Sequence, residues 1–281
     1  LEKIGDWPEN VKTMQKNWIG KSEGAQFQLN VSNSDISFEV FTTRPDTLFG
    51  MTFAVISPEH ELMEKIIEIS DNKTEIKEYI EKAKSKSEFE RMSISKEKTG
   101  VDTHLKVINP MTKEEVPLWI ADYVLINYGT GAIMAVPAHD QRDYDFAKKY
   151  KLRVKKVIKS PLEKENQNKA FTEDGILINS EFLNGLNVND AKKKITTYLI
   201  NRKLAKKETI YRLKDWSISR QRYWGCPIPV MYTNDGKMIS VPEKNLPVIL
   251  PEEVDFSKGG NPLNDHPNWK YTKCPKTNKK A

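Results

Sequence analysis

Residues 41–50, FTTRPDTLFG, crowd three threonines, an arginine and an aspartate into ten positions, directly after the alternating run ISFEVF. A turn needs a Pro or an Asp, not three hydroxyls beside a guanidinium. A second dense stretch, YGTGAIMAVPAHDQRD, fills residues 128–143. Its Gly-Thr-Gly permits a backbone to approach a ligand closely. The apolar run after it, with Met134 and Val136, can wall a pocket, and Ala138, His139, Asp140 and Asp143 then fall at the rim. Threonine hydroxyls opposite carboxylates suit a polar, amine-bearing ligand. Caps and turns draw on the same residue types, so the residues by themselves leave both readings open.

Other chemistries lack their signatures. The sequence has no Gly-rich phosphate loop, no His-Glu-x-x-His and no Gly-x-Ser-x-Gly elbow. His60, His104, His139 and His266 are not at metal-ligand spacing. Cys274 opens CPKTNKKA, which looks like half of a zinc knuckle, but no second Cys follows it. Two cysteines are too few for a secreted disulfide scaffold, and a reducing, cytoplasmic setting is the expectation.

Several elements must position the two stretches. MQKNWIGKSEGA reads as a helix and a Gly-bounded turn, with Met14 and Trp18 four apart on one core-facing stripe. Strands are expected from Ala25. QFQLNV and ISFEVF alternate about SNSD as a hairpin, and TFAVIS is a further strand. Ser57-Pro58 reads as a helix start, with Leu62, Ile66 and Ile69 on its buried face. A charged helix follows near residues 75–90. HLKVINP, VPLWIADYVLI, GAIMAVPA and RVKKVI read as strands. HDQRDYDFAKKY is a helix start that Asp140 caps, with Asp143 in its first turn. SPLEKENQNKA is a polar loop, and LNVNDAKKKITTYLINRK an amphipathic helix carrying Val188, Ala191, Ile195 and Tyr198. The expected class is α/β, with a mixed, barrel-like β core flanked by helices.

The chain has 281 residues, 38% hydrophobic and 30% charged, enough for one large domain or two modest ones. It has no run of 18 apolar residues. Its start, LEKIGDWPEN, reads like the middle of a longer protein. Net charge is +6. The excess is local: Arg202, Lys203, Lys206, Lys207, Arg212, Lys214, Arg220 and Arg222 stand against only Glu208 and Asp215. Such a stripe suits a phosphate backbone. Residues 203–207 alone read as a solvated surface, whereas Arg220 and Arg222 are interleaved with Trp216, Tyr223 and Trp224.

The segments MQKNWIGKSEG, FTTRPDTLFG, YGTGAIMAVPAHDQRDYDFA, DWSISRQRYWGCPIP and LPVILPEEV resemble, nearly end to end, the editing insertion of bacterial-type leucyl-tRNA synthetases. Isoleucyl and valyl relatives share the general plan, but TTRPDTLFG and HDQRDYDFA resemble the leucyl form specifically. The family's ATP-site signatures, His-Ile-Gly-His and Lys-Met-Ser-Lys-Ser, are missing.

The resemblance implies four regions: a connection from the catalytic domain (1–24), an editing domain (25–205), a return segment (206–225) and a Pro/Gly-rich synthetase subregion (226–281). It implies a pocket for the charged 3′ end of tRNA(Leu). There Thr42 and Thr43 offer hydroxyls to the terminal ribose and the scissile ester, and Arg44 faces the terminal adenosine or its phosphate. Thr47 resembles the specificity residue that keeps leucine from settling productively. Asp143 resembles the carboxylate that pairs with the α-ammonium. Tyr128, Met134 and Val136 shape the pocket, His139 and Asp140 border it, and Arg220 and Arg222 contact tRNA.

The implied activity is ester hydrolysis of mischarged tRNA(Leu), with norvaline, isoleucine or methionine attached, sparing leucyl-tRNA(Leu). No general base stands out. His139 is tempting, but a lone His beside a helix start is more often structural. No cofactor is implied for this region, while ATP and Mg serve the parent enzyme's synthetic site. The implied partners are tRNA and the rest of the synthetase chain, in a monomer away from membranes. The competing readings are a non-catalytic tRNA-binding fragment and a general RNA-binding or nuclease module, the latter without paired metal-binding carboxylates or an aromatic RNA-binding sheet signature.

Overall fold

The computed structural model describes residues 1–84, 98–126, 129–160, 168–213, 223, 225–233, 235–257 and 261–275. The chain divides into two compact units, Leu1–Leu213 and Lys214–Ala281.

The first unit opens with helix α1 (Glu9–Ile19), which Gly20 ends in the left-handed conformation at φ 61°. Met14 and Trp18 are 67% and 66% exposed, contrary to the core stripe expected of them. Helical spacing identifies residues that share a face, not whether anything covers it. Strand β1 (Lys21–Asn30) begins at Lys21 rather than Ala25, because its first half pairs with β9 (Ala205–Tyr211) as well as leading into the hairpin with β2 (Ser37–Thr42). The three form an antiparallel sheet in the order β2-β1-β9. Ala25, Phe27 and Leu29 of β1 and Phe38 and Val40 of β2 are buried, as the period of two requires. Pairing stops at Ala25↔Thr42, so the threonine-rich stretch starts where the strand ends. A Cβ at Gly24 would collide with the Thr42 carbonyl, so only glycine lets β1 lie this close to the end of β2.

A second sheet holds β4 (Gly100–Ile108), β5 (Glu115–Ala121), β3 (Phe53–Ile56) and β6 (Ala132–Ala135), in that order. β3 and β5 run parallel, and the other pairs are antiparallel. Helices α2 (Met63–Ile69) and α3 (Lys73–Lys84) and strand β4 lie between β3 and β5 in sequence and carry the crossover. β3 is buried on both faces: Ala54 and Ile56 join the main core, while Phe53 and Val55 join a smaller one with Trp119, Tyr123 and Phe146. Phe146 lies on helix α4 (Gln141–Tyr150), with ring centroids 5.6 Å from Phe53 and 5.4 Å from Trp119. This aromatic packing seats α4, and its N-terminal turn with Asp143, on one face of the sheet.

Helix α5 (Val188–Asn201) is capped by Asn187, whose side chain accepts from the Asp190 amide, and it buries Val188, Ala191, Ile195 and Leu199. The mixed α/β class holds. Among the described residues the strands form separate sheets of three, four, two and two strands, with no closed barrel.

Several boundaries differ from expectation. Ser57 does not cap a helix. Its hydroxyl binds Glu59 in a turn, and α2 starts at Met63 and leaves Ile69 42% exposed. VPLWIADYVLI is strand only to Ala121, and RVKKVI is strand only at Ile158, the start of β7 (Ile158–Lys159), which pairs with β8 (Ile176–Leu177). The charged helix near 75–90 is α3, of which the part after Lys84 lies outside the described residues, as does 161–167 of the polar loop. Residues 206–211, read as part of a basic return segment, are the edge strand β9.

The second unit carries a hairpin of β10 (Val230–Tyr232) and β11 (Met238–Ser240) and a short helix, α6 (Pro262–Asp265), capped by Asn261. Cys274 is buried and Cys226 exposed, and neither is in a disulfide. Among the described residues, no three His, Cys, Asp or Glu side chains gather to hold a metal ion, and no helix is long and apolar enough to cross a membrane.

Candidate functional site

The two dense stretches meet. The end of β2 and the 3₁₀ turn Pro45–Gly50 supply Phe41, Thr42, Thr43, Arg44 and Thr47 to one wall of a cavity of about 190 Å³. β6, the turn after it and the start of α4 supply Ile133, Met134, Val136, His139, Asp140, Arg142 and Asp143 to the other. Contacts between β2 and β6 close the gap in sequence.

The hydroxyls of the threonine wall differ in what they have left to offer. Thr42 Oγ1 accepts from the Arg44 amide at 2.9 Å and still has its own proton to give. Thr47, 2% exposed, donates its hydroxyl to the Arg44 carbonyl at 2.9 Å, and its amide reaches the same oxygen at 3.1 Å. Thr47 therefore presents bulk to the cavity, with its hydroxyl spent on the turn. Thr43 is exposed, and its hydroxyl has no partner among the described residues. The Arg44 fork is held by fully buried Asp46, Nε at 3.1 and 3.2 Å and Nη2 at 2.9 Å, so its plane is fixed before any ligand arrives. Among the described residues, Nη1 and the second N–H of Nη2 remain for the role expected of Arg44, facing the terminal adenosine or its phosphate.

The opposite wall is built on the first turn of α4. Asp140 is the N-cap, accepting from the Arg142 and Asp143 amides, and it also grips the Arg142 guanidinium at 3.0 and 3.3 Å. Burial opposes ionisation of Asp140, but the Arg142 guanidinium and the helix amides outweigh it and hold the carboxyl below its ordinary range. Asp143, 3% exposed, accepts from the Val136 amide on Oδ2 at 2.9 Å and from the Tyr123 hydroxyl on Oδ1 at 3.0 Å. It makes no ion pair among the described residues, since the two arginines of the cavity are committed to Asp140 and Asp46. Burial, then the Asp140 charge, pushes its pKa up to about 7. A buried carboxylate with two neutral donors and no cation, bordering a cavity, is complementary to a cationic ligand group.

His139 is used up by the fold. Its Nδ1–H donates to the Phe171 carbonyl at 2.9 Å, and Nε2 accepts from the Val157 and Ile158 amides, both at 3.0 Å. Burial lowers its pKa to about 4. No lone pair remains to take a proton from water, and the reading of His139 as a base does not fit this geometry. His139→Ala is expected to lower the melting temperature, at about 1–3 kcal/mol for each backbone group left unsatisfied. Whatever chemistry the cavity performs should change little in the folded variant. A lost rate with unchanged melting would restore His139 as a catalytic group.

Gly129 and Gly131 take φ of 68° and 72°. A Cβ at Gly131 would meet Ile126 Cδ1 at 2.6 Å, so that glycine serves the turn into β6. Tyr128, Arg220 and Arg222 lie outside the described residues. Sequence reasoning missed Phe41, Ile133, Arg142 and above all Tyr123, which hides inside an apolar run 20 residues from the carboxylate it binds. Only the pairing of sheet and helix brings them together.

The sequence profile "Leucyl-tRNA synthetase, editing domain" matches residues 16–200, and "tRNA synthetases class I (I, L, M and V)" matches residues 179–255. A leucine–tRNA ligase of Clostridium tetani is 50% identical over 98% of this chain, and one of Petrotoga mobilis 48% identical over all of it. The chain spans 34% of the length of each. Among solved structures, the ternary complex of Agrobacterium radiobacter K84 agnB2 LeuRS with tRNA and LeuAMS superposes with a TM-score of 0.69 at 35% identity. It covers 100% of this chain and 32% of that one.

Proposed function

Because the chain belongs to the leucyl-tRNA synthetase editing-domain family, we propose that its cavity hydrolyses the ester of mischarged aminoacyl-tRNA(Leu). The single observation that carries this reading is Asp143, a buried, cation-free carboxylate at the wall of a cavity lined by spare threonine hydroxyls. In this scheme the α-ammonium of the attached amino acid pairs with Asp143. Thr43 and the free proton of Thr42 face the ribose and ester oxygens. Water adds to the ester carbonyl, the bond to the ribose oxygen breaks, and that oxygen leaves with a proton. An aminoacyl ester is already activated, so holding it and balancing the developing charge is enough, and no strong nucleophile is needed.

A synthetic pocket rejects an analogue one methylene different by only about 10–200-fold, a range drawn from sister synthetases. Hydrolysis at a second site removes what slips through, and norvaline, isoleucine and methionine are the proposed side chains. The longer protein would join leucine to tRNA(Leu) with ATP and Mg. The chain described here lacks both ATP-site signatures, so leucine-dependent ATP–pyrophosphate exchange is expected at background, and clear exchange would contradict that division of labour. A purely tRNA-binding role gives no reason to bury an unpaired carboxylate at a cavity wall.

The direct test is binding of a non-hydrolysable, amide-linked norvalyl adenosine, measured by calorimetry against the same compound without its α-amino group. The amine-free compound is expected to bind about a hundredfold more weakly, the scale for losing one side of a desolvated charge pair. Equal binding would remove the basis of the proposal.

A further inference from the structure

Resting on the reading of Asp143 as the partner of the ammonium, we propose that Tyr123 is a positioning residue that locks the Asp143 carboxylate in the plane the ligand requires. Tyr123 follows the end of β5 and is 8% exposed. Its hydroxyl donates to Asp143 Oδ1 at 3.0 Å, while the Val136 amide takes Oδ2 at 2.9 Å. The terminal torsion of an aspartate is broad, so a carboxylate held at one oxygen swings. Held at both, by donors from two different elements, it cannot. Tyr123 is itself fixed. Its ring lies 5.5 Å from Phe146, which sits on α4 one turn beyond Asp143. The same helix face thus carries the carboxylate and the ring that seats its anchor.

The charged groups around the carboxylate have other duties. Asp140 and Arg142 on its own helix grip each other, Arg44 across the cavity is held by Asp46, and His139 is bound to backbone. Tyr123 is therefore the one side chain among the described residues that donates a hydrogen bond to Asp143. Burial, with the Asp143 charge beside it, raises the phenol's pKa, which keeps it a donor through the working range.

The test is Tyr123→Phe, which keeps the ring and its contact with Phe146 and removes only the donor. KM for norvalyl-tRNA(Leu) is expected to rise about tenfold or more, with kcat changed less, the scale of one hydrogen bond to a charged group. The acid limb of the pH profile should move to higher pH, because the ionised carboxylate loses a stabilising donor. In the substrate-free protein, the carboxyl carbon of Asp143 followed by NMR should titrate at higher pH than in the wild type. Unchanged KM and an unmoved titration, with only a lower melting temperature, would overturn the proposal and make Tyr123 a core residue with a satisfied hydroxyl. The two failures separate. A wild-type protein inactive on norvalyl-tRNA overturns the hydrolytic reading, whereas an unmoved Asp143 titration in Tyr123→Phe overturns the positioning role whatever the activity.

Discussion

Asp143→Asn is expected to lower kcat/KM for norvalyl-tRNA(Leu) by about 10²- to 10³-fold, the cost of breaking a buried charge pair on one side. The fold should survive. An amide oxygen can accept from the Val136 amide where Oδ2 now does, and the amide nitrogen can donate to the Tyr123 oxygen, which turns from donor to acceptor. Stability should even improve. The folded-state pKa of Asp143 is raised from 3.8 to about 7, so between those values the folded protein holds a proton that the unfolded chain has released. Its contribution is complete below about pH 4 and is lost as pH rises towards 7. Asn carries no such penalty, and the variant's advantage in melting temperature should be largest above pH 7 and smallest near pH 4. His139 runs the other way: its folded pKa is depressed to about 4 from 6.5, so its contribution is present above 6.5 and lost as pH falls. The two slopes oppose each other in the wild type, and Asp143→Asn should unmask the acid sensitivity due to His139. Retained hydrolysis in this variant, or hydrolysis lost only in step with unfolding, would count against Asp143 as the ammonium site.

Thr47 tests the sieve. Its hydroxyl is bound to the Arg44 carbonyl, so any discrimination it exerts is steric and acts against leucine. Thr47→Ala is expected to open hydrolysis of leucyl-tRNA(Leu), by about one to two orders of magnitude if one methyl-sized clash is relieved, while norvalyl-tRNA hydrolysis falls little. Thr47→Tyr should fill the cavity and block both substrates. Thr47→Val keeps the bulk and drops the hydroxyl. It should continue to spare leucyl-tRNA at a stability cost of roughly 1 kcal/mol. If Ala gains nothing on leucine and Tyr stays active, Thr47 serves the 3₁₀ turn alone.

Local signals in the sequence revealed local structure. The hairpin of β1 and β2 followed from alternation, and the Asp140 cap followed from an Asp placed just ahead of a helical pattern. Both depend on neighbours along the chain. What escaped depends on distant partners. β9 is rich in lysine and half exposed, and only its pairing with β1 makes it a strand. Tyr123 looks apolar in sequence and meets Asp143 only through a helix that arrives later. The dense threonine stretch stood out as a candidate, but not the division within it, in which the hydroxyl of Thr47 holds the turn and that of Thr43 has no partner among the described residues. His139 stood beside the right helix for a base, and three backbone groups from later segments occupy it.

The central claim is that this one cavity destroys wrongly charged tRNA(Leu) and spares the correct product. It is tested most directly by incubating the chain with norvalyl-tRNA(Leu) and leucyl-tRNA(Leu), separately and at equal concentration, and following ester loss above the uncatalysed rate. The account predicts rapid loss of the norvalyl ester, slowed about 10²- to 10³-fold by Asp143→Asn, and loss of the leucyl ester at the background rate. Equal rates on the two substrates, or norvalyl hydrolysis undiminished by Asp143→Asn, would contradict it.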